Sequence, residues 1–193
     1  MGVCLMQVMR DADIREPLIK KLVRQNEGHD FRIIQEMAVC DGVSRIDIAV
    51  ANGKLCGYEI KSDADTLDRL SSQSESYCKT FDKMFIVVGE KYRDVIYEYI
   101  PDWWGVYVAS RNKRNKIILK EQKRAKTNKN ISPESLLELL WRDEIESLLR
   151  QHGLTALSGK NRRILRKLAL VNISSTEIRN YTREILKKRT EWR

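Results

Sequence analysis

The sequence predicts an α/β fold, a mixed sheet flanked by helices, that carries a helical extension at its C-terminal end. Three observations predict it. Helical and strand periodicities alternate over the first 110 residues in the order α-β-β-β-α-β-α-β; the strand-like runs are short and rich in β-branched residues; and only helical signals occur from Ser132 onward. With 42% hydrophobic residues, nine Gly and three Pro in 193 residues, the chain can bury a core, which excludes a disordered or collagen-like protein. The length suits one domain of ordinary size with an appendage.

The first helix is expected from Asp13 or Glu16 to about Gln25. Pro17 suits its first turn, Ile14, Leu18 and Leu22 share a face, and Gly28 lies just past its end. FRIIQEMAV, SRIDIAV and KLCGYEIKS then read as strands, separated by the turn signals CDG and NG. A second helix follows from about Thr66 to Cys78. KMFIVVG reads as a buried strand, RDVIYEYI as a helix and WWGVYVAS as another strand. Residues 1–130 form the expected core, with a basic loop at 111–129. Ser132 as N-cap and Pro133 at the first helical position open one long helix over 131–153, packed on the core and closed by Gly153. Residues 154–193 form a basic helical tail, with helices over about 159–170 and 175–188, the second capped by Ser174 or Ser175.

No apolar run approaches the roughly 18 residues needed to cross a bilayer, and MGVCLMQVMRDAD has no leader pattern. Cys4, Cys40, Cys56 and Cys78 are widely spaced, and His29 and His152 are the only histidines. Neither a zinc site nor an iron–sulfur cluster has the spacing it needs, and the cysteines read as small buried hydrophobes of a reducing, cytoplasmic compartment. The net charge of +9 is uneven. Residues 1–110 hold 14 basic and 18 acidic side chains, 111–129 nine and one, 130–153 two and five, and 154–193 eleven and three. Two basic blocks behind an acidic front half suit a polyanionic partner, nucleic acid above all.

Candidate chemistry lies on two successive strands. In GYEIKS, Glu59 and Lys61 share a face because alternate strand residues do. Whether Asp47 joins them depends on the hairpin between: a two-residue Asn52-Gly53 loop sends it to the opposite face, whereas a three-residue Ala51-Asn52-Gly53 loop with Gly53 left-handed puts Arg45, Asp47, Glu59 and Lys61 on one side. The three-residue loop is the expectation. Charges on the buried side of apolar strands need a partner, which a divalent cation or a cross-strand ion pair would supply equally well.

At these residues the chain resembles the PD-(D/E)XK, or restriction-endonuclease-like, nuclease superfamily, whose core runs α-β-β-β-α-β. Asp47 matches the motif's Asp, although Ile46 stands where the pattern has Pro. Glu59 and Lys61 match (D/E)-x-K, and Glu36 on the first strand matches an extra carboxylate that many members carry. Gln73 and Tyr77 match the Q-x-x-x-Y element of the RecB-like branch. GYEIKSDADTLDRLSSQSESYCKTFDKMFIVVG is also similar to a family of small, mostly uncharacterised bacterial and phage proteins within that superfamily, over about residues 13–150.

The resemblance implies a metal-dependent nuclease hydrolysing phosphodiester bonds in DNA, a deoxyribonuclease. Asp47, Glu59 and Glu36 would hold Mg²⁺ or Mn²⁺, Lys61 would act on the attacking water, and Gln73 and Tyr77 would position Lys61 or the DNA. Asp63, Asp65 and Arg69 follow the motif as secondary candidates, with Asp65 equally suited to capping the second helix. Trp103 and Trp104 offer a stacking platform or, for at least one of them, a core residue. Two alternatives remain open: a non-catalytic nucleic-acid-binding protein whose basic C-terminal helices act like a helix-turn-helix on a nuclease-like scaffold, and a protein-interaction module.

Overall fold

Six strands form one sheet in chain order, β1 (Arg32–Val39), β2 (Ser44–Ala51), β3 (Leu55–Lys61), β4 (Lys83–Val88), β5 (Gly105–Arg111) and β6 (Ile117–Lys123), in a computed structural model that describes residues 8–190. The sheet is mixed. β3, β4 and β5 run parallel, while the β1–β2, β2–β3 and β5–β6 pairs are antiparallel. The segment MGVCLMQ with Cys4, and Arg193 of the tail, lie outside the described residues. Among the described residues no helix is long and apolar enough to cross a membrane, and Cys40, Cys56 and Cys78 are free thiols.

Helix α1 (Asp11–Gln25) covers one face. Its buried Ile14, Leu18 and Leu22 join Ile48, Val50, Tyr58, Ile60, Phe85 and Val87 in one cluster. The helix starts ahead of the expected position, because the Asp13 carboxylate accepts the Arg10 amide at 2.9 Å and so caps an earlier turn. The opposite face carries the larger core, under α2 (Leu70–Thr80), α3 (Pro133–Glu138), α4 (Arg142–Gln151), α5 (Arg162–Asn172) and α6 (Ser175–Lys188). Trp104 is fully buried there and Trp103 packs against it, so the pair serves the core. Each fully buried aliphatic side chain contributes roughly 1.5–3 kcal/mol.

Three elements differ from the sequence reading. RDVIYEYI forms no continuous helix but lies among 3₁₀ turns at Glu90–Tyr92 and Ile96–Glu98. Tyr92, Ile96 and Ile100 keep their inward spacing, yet the β-branched and aromatic residues between them are weak helix formers. Residues 131–153 form two helices. The apolar set slips phase between Leu140 and Ile145, and a new helix starts at Trp141, whose amide donates to the Glu144 carboxylate at 2.6 Å. The break lets Leu136, Leu137, Leu140, Ile145, Leu148 and Leu149 enter one core. Finally, part of the basic loop is the edge strand β6. Its Ile117 and Leu119 pack toward α1, while Lys120 and Gln122 face solvent. Lysines on an exposed edge guard it against pairing with other chains, and their density hid the strand.

Part of the charge of the C-terminal helices is directed inward. Arg166 makes two hydrogen bonds of 2.6 Å to Asp41. Arg183 pairs with buried Asp82, whose carboxylate also accepts the Leu55 amide at 2.7 Å. Lys187 reaches Asp30 at 3.4 Å, and Arg189 joins Glu144 and the Leu139 carbonyl at the α3–α4 break. Helix α6 buries Ile178, Thr182 and Leu186 across β1, β2 and α3. A reading helix of a helix-turn-helix needs a free basic face, whereas Arg183 and Arg189 of this segment are engaged with the core.

Candidate functional site

A notch opens where β2 and β3 part. Side-chain alternation reverses in both β1 and β2, so that Ile34 and Met37, and Ile46 and Ala49, share one core cluster. Glu36 and Asp47 sit at the two reversals, between the Gln35–Ile48 and Met37–Ile46 pairs. Glu36 has φ +53°, a left-handed conformation that a non-glycine side chain resists, and such strain concentrates at functional sites. The β2–β3 ladder ends at Ile48–Tyr58, and beyond it the Asp47 carboxylate accepts the Ile60 amide at 2.7 Å. The hairpin loop has three residues, as expected, but they are Asn52-Gly53-Lys54, since Ala51 pairs with Leu55. Gly53 is left-handed at φ +89°. An odd loop preserves the expected parity, and Arg45, Asp47, Glu59 and Lys61 all line one cleft of about 530 Å³.

Glu59, 2% exposed, and Lys61, 7% exposed, form a buried pair at 2.8 Å. Gln73 and Tyr77, one turn apart on α2, close the network. The Gln73 amide donates to Glu59 Oε1 at 2.9 Å and accepts from Lys61 Nζ at 3.1 Å. The Tyr77 hydroxyl lies 2.8 Å from both Glu59 Oε2 and the Arg45 carbonyl, and its single proton serves one of them at a time. Burial, then the charge and hydrogen bond of Glu59, hold that hydroxyl protonated far above the ordinary tyrosine value. The structure therefore brings Glu59, Lys61, Gln73 and Tyr77 into direct contact.

Asp47 and Glu36 meet a different partner. Arg15 of α1 directs Nη1 to Glu36 at 2.8 Å, Nη2 to Asp47 at 2.9 Å and Nε to Asp11 at 2.7 Å. Burial alone would lower its pKa, but Asp11, Asp47 and Glu36 hold the guanidinium charged above its ordinary value. Asp47 is pushed up to about 7, by burial first and by Glu59 second, against the opposing effects of the Ile60 amide and Arg15. Arg15 and Asp11 escaped the sequence reading. Their signal was the i,i+4 acid–base spacing on α1, which placing the helix start at Asp13 or Glu16 concealed.

A divalent cation on Asp47, Glu59 and Glu36 would need their oxygens. The guanidinium of Arg15 stands between Glu36 and Asp47, the Ile60 amide takes the second Asp47 oxygen, and Lys61, Gln73 and Tyr77 engage both oxygens of Glu59. Among the described residues no group of three or more His, Cys, Asp or Glu is placed to hold a metal ion. The residues do not fit Mg²⁺ or Mn²⁺ in this arrangement. Asp65 accepts from the Ser62 amide and hydroxyl at 2.8 and 2.6 Å and does not cap α2, whose N-cap is Arg69. Asp63 accepts the Lys91 amide at 3.1 Å. Arg45 and Arg69 line the cleft from exposed positions.

Comparison with known proteins gives a consistent result. Residues 6–192 match the family model described as bacteriophage P4 protein cII. Protein cII of Enterobacteria phage P4 is 32% identical over 186 residues, spanning 95% of this chain and 69% of the relative. These matches overturn the PD-(D/E)XK, RecB-like assignment, and with it the expected deoxyribonuclease, a metal-dependent hydrolase of phosphodiester bonds. The physical reason is visible in the cleft. The motif spacing is present, but Arg15 and Lys61 already satisfy the carboxylates as internal ion pairs.

Proposed function

The chain belongs to the bacteriophage P4 protein cII family, and from that premise we propose that it binds nucleic acid, DNA in the first place, without cleaving it. One observation carries the reading: seven of the nine basic side chains of the 111–129 block are exposed to solvent, whereas the C-terminal block gives up part of its charge to internal ion pairs. Lys113, Arg114, Lys116, Lys120, Arg124, Lys126 and Lys129 are exposed. The one carboxylate of the block, Glu121, sits opposite Tyr107 in the β5–β6 register. In the C-terminal block Arg166, Arg183, Lys187 and Arg189 pair with the acidic front half and α4, while Arg163, Lys167 and Lys188 stay exposed. Lysine and arginine side chains gathered on one surface displace counter-ions from a phosphate backbone and so bind it in a salt-dependent way. The free thiols suit a reducing, cytoplasmic setting.

Fluorescence anisotropy with labelled duplex and single-stranded DNA, and RNA of the same sequence, tests the proposal. Binding should be tighter than about 100 μM near physiological salt, weaken steeply as salt rises, and persist unchanged in EDTA with the oligonucleotide intact. Absence of binding to every one of these at low salt overturns it.

A further inference from the structure

The surface that would contact nucleic acid can be located. Helix α1 packs along β6, and between them runs a groove of about 900 Å³ on the side of the sheet away from α2. Lys20, Lys21 and Arg24 line it from α1, and Lys116 from the start of β6; Pro17 and Ile117 form part of its floor. Among the described residues no carboxylate and no aromatic ring lines the groove. Lys21 is held over the Tyr107 ring, 5.4 Å from its centroid, and Lys20 pairs with exposed Glu16. Among the described residues neither Arg24 nor Lys116 has an ion-pair partner, and both are exposed. Lys113 and Arg114 extend the positive rim past the end of β5.

Resting on the proposed nucleic-acid function, we infer that this α1–β6 groove is the binding site and that its ligand is the sugar-phosphate backbone of a duplex. The side chains are donors suited to phosphate oxygens. The lining lacks the aromatic platforms on which proteins stack the bases of a single strand, so the groove reads charge and the spacing of phosphates that a duplex displays on its outside. The carboxylate cleft is a weaker candidate: Asp11, Glu36, Asp47, Glu59 and Asp65 line it beside Arg15, Arg45, Lys61 and Arg69, so it offers a phosphate chain no net positive charge.

The test compares Arg24→Glu/Lys116→Glu with a control of equal charge change, Arg163→Glu/Lys167→Glu, on the exposed side of α5. Each is titrated, with the wild type, against a duplex of about 20 base pairs and against one of its strands. The groove variant should bind duplex about tenfold or more weakly and lose roughly two from the slope of log K against log salt, since about one charge-release contact disappears per residue. The control should stay within about threefold. Equal weakening by both variants overturns the location, leaving binding governed by overall charge. Tighter binding of the single strand than of the duplex overturns the ligand class. No binding by the wild type defeats the functional reading itself, which distinguishes that failure from the other two. Circular dichroism of the folded variants confirms that the loss is one of contact.

Discussion

Replacing Lys61 by methionine separates a structural counter-charge from a reactive group, and the structure sets the size of the effect. The ammonium lies 2.8 Å from Glu59 with both side chains almost fully buried. Methionine keeps most of the volume of the lysine stem but leaves Glu59 an uncompensated anion. Removing one partner of a buried pair costs about 3–5 kcal/mol. Gln73 and Tyr77 still donate to the carboxylate, so the loss should fall near the lower bound, about 3 kcal/mol. For a chain of this length that is a fall in Tm of roughly 6–12 °C. The second variant, Glu59→Gln/Lys61→Met, removes both charges and leaves a neutral amide where the carboxylate was. It should recover to within about 1.5 kcal/mol of the wild type, because neutral replacements of buried pairs are often tolerated. Urea unfolding of the wild type, both single variants and the double variant closes a cycle whose coupling should reach about 2 kcal/mol. A Lys61→Met protein as stable as the wild type, or a double variant no better than the worse single, would refute the counter-charge assignment.

Further expectations follow from other contacts. Arg183→Ala strands the Asp82 carboxylate, which is 3% exposed; stability should drop by about 3 kcal/mol, with amide protection falling first in α6 by hydrogen exchange. Uniform loss of protection would argue against a latch at this position. Because Asp47 is raised to about 7 in the folded chain from an ordinary value of 3.8, the folded state binds more protons between those limits. Its contribution should therefore be greatest below about pH 4 and lost as pH climbs toward 7, by at most about 4 kcal/mol. Subtracting the urea-stability profile of Asp47→Asn from that of the wild type isolates this slope, and a flat difference would contradict it. Gly57→Ala would place a Cβ 2.4 Å from the Met84 sulfur and 3.1 Å from the Phe81 ring. A thermal melt should register about 1–3 kcal/mol of overpacking, and an unchanged melt would mean that Met84 moves aside freely.

The fold was legible wherever a local pattern decided the outcome. Ile14, Leu18 and Leu22 gave α1 its inward stripe, and Ser132 with Pro133 marked the start of α3, whose Ser132 Oγ accepts the Ser135 amide at 3.3 Å. Legibility failed where a tertiary partner decided. The break at Trp141 has no Gly or Pro to announce it; it is completed by Arg189, distant in sequence, which binds both Glu144 and the Leu139 carbonyl. β6 is rich in lysine because it is an exposed edge, and a lysine-rich run without its partner strand reads as a loop.

The cleft shows the same division more sharply. Strand period and loop parity suffice to bring Asp47, Glu59 and Lys61 together, and helical spacing suffices for Gln73 and Tyr77. None of these patterns fixes what neutralises the carboxylates, because a metal ion and a guanidinium meet the same electrostatic demand. In this structure the partner of Asp47 is Arg15, thirty-two residues away along the chain. Its identity carries no marker of the role until α1 is packed against β1 and β2. The basic tail follows the same logic. Its charges suggest an external polyanion while the sequence is read linearly, but folding brings Asp30, Asp41, Asp82 and Glu144 to them first. Net charge per segment therefore measures external attraction only after internal pairs are subtracted. By that measure the α1–β6 side, where Arg24, Lys113, Arg114 and Lys116 remain exposed, is a surface left to attract a phosphate backbone, and the exposed Arg163 and Lys167 of α5 are the surface it has to be tested against.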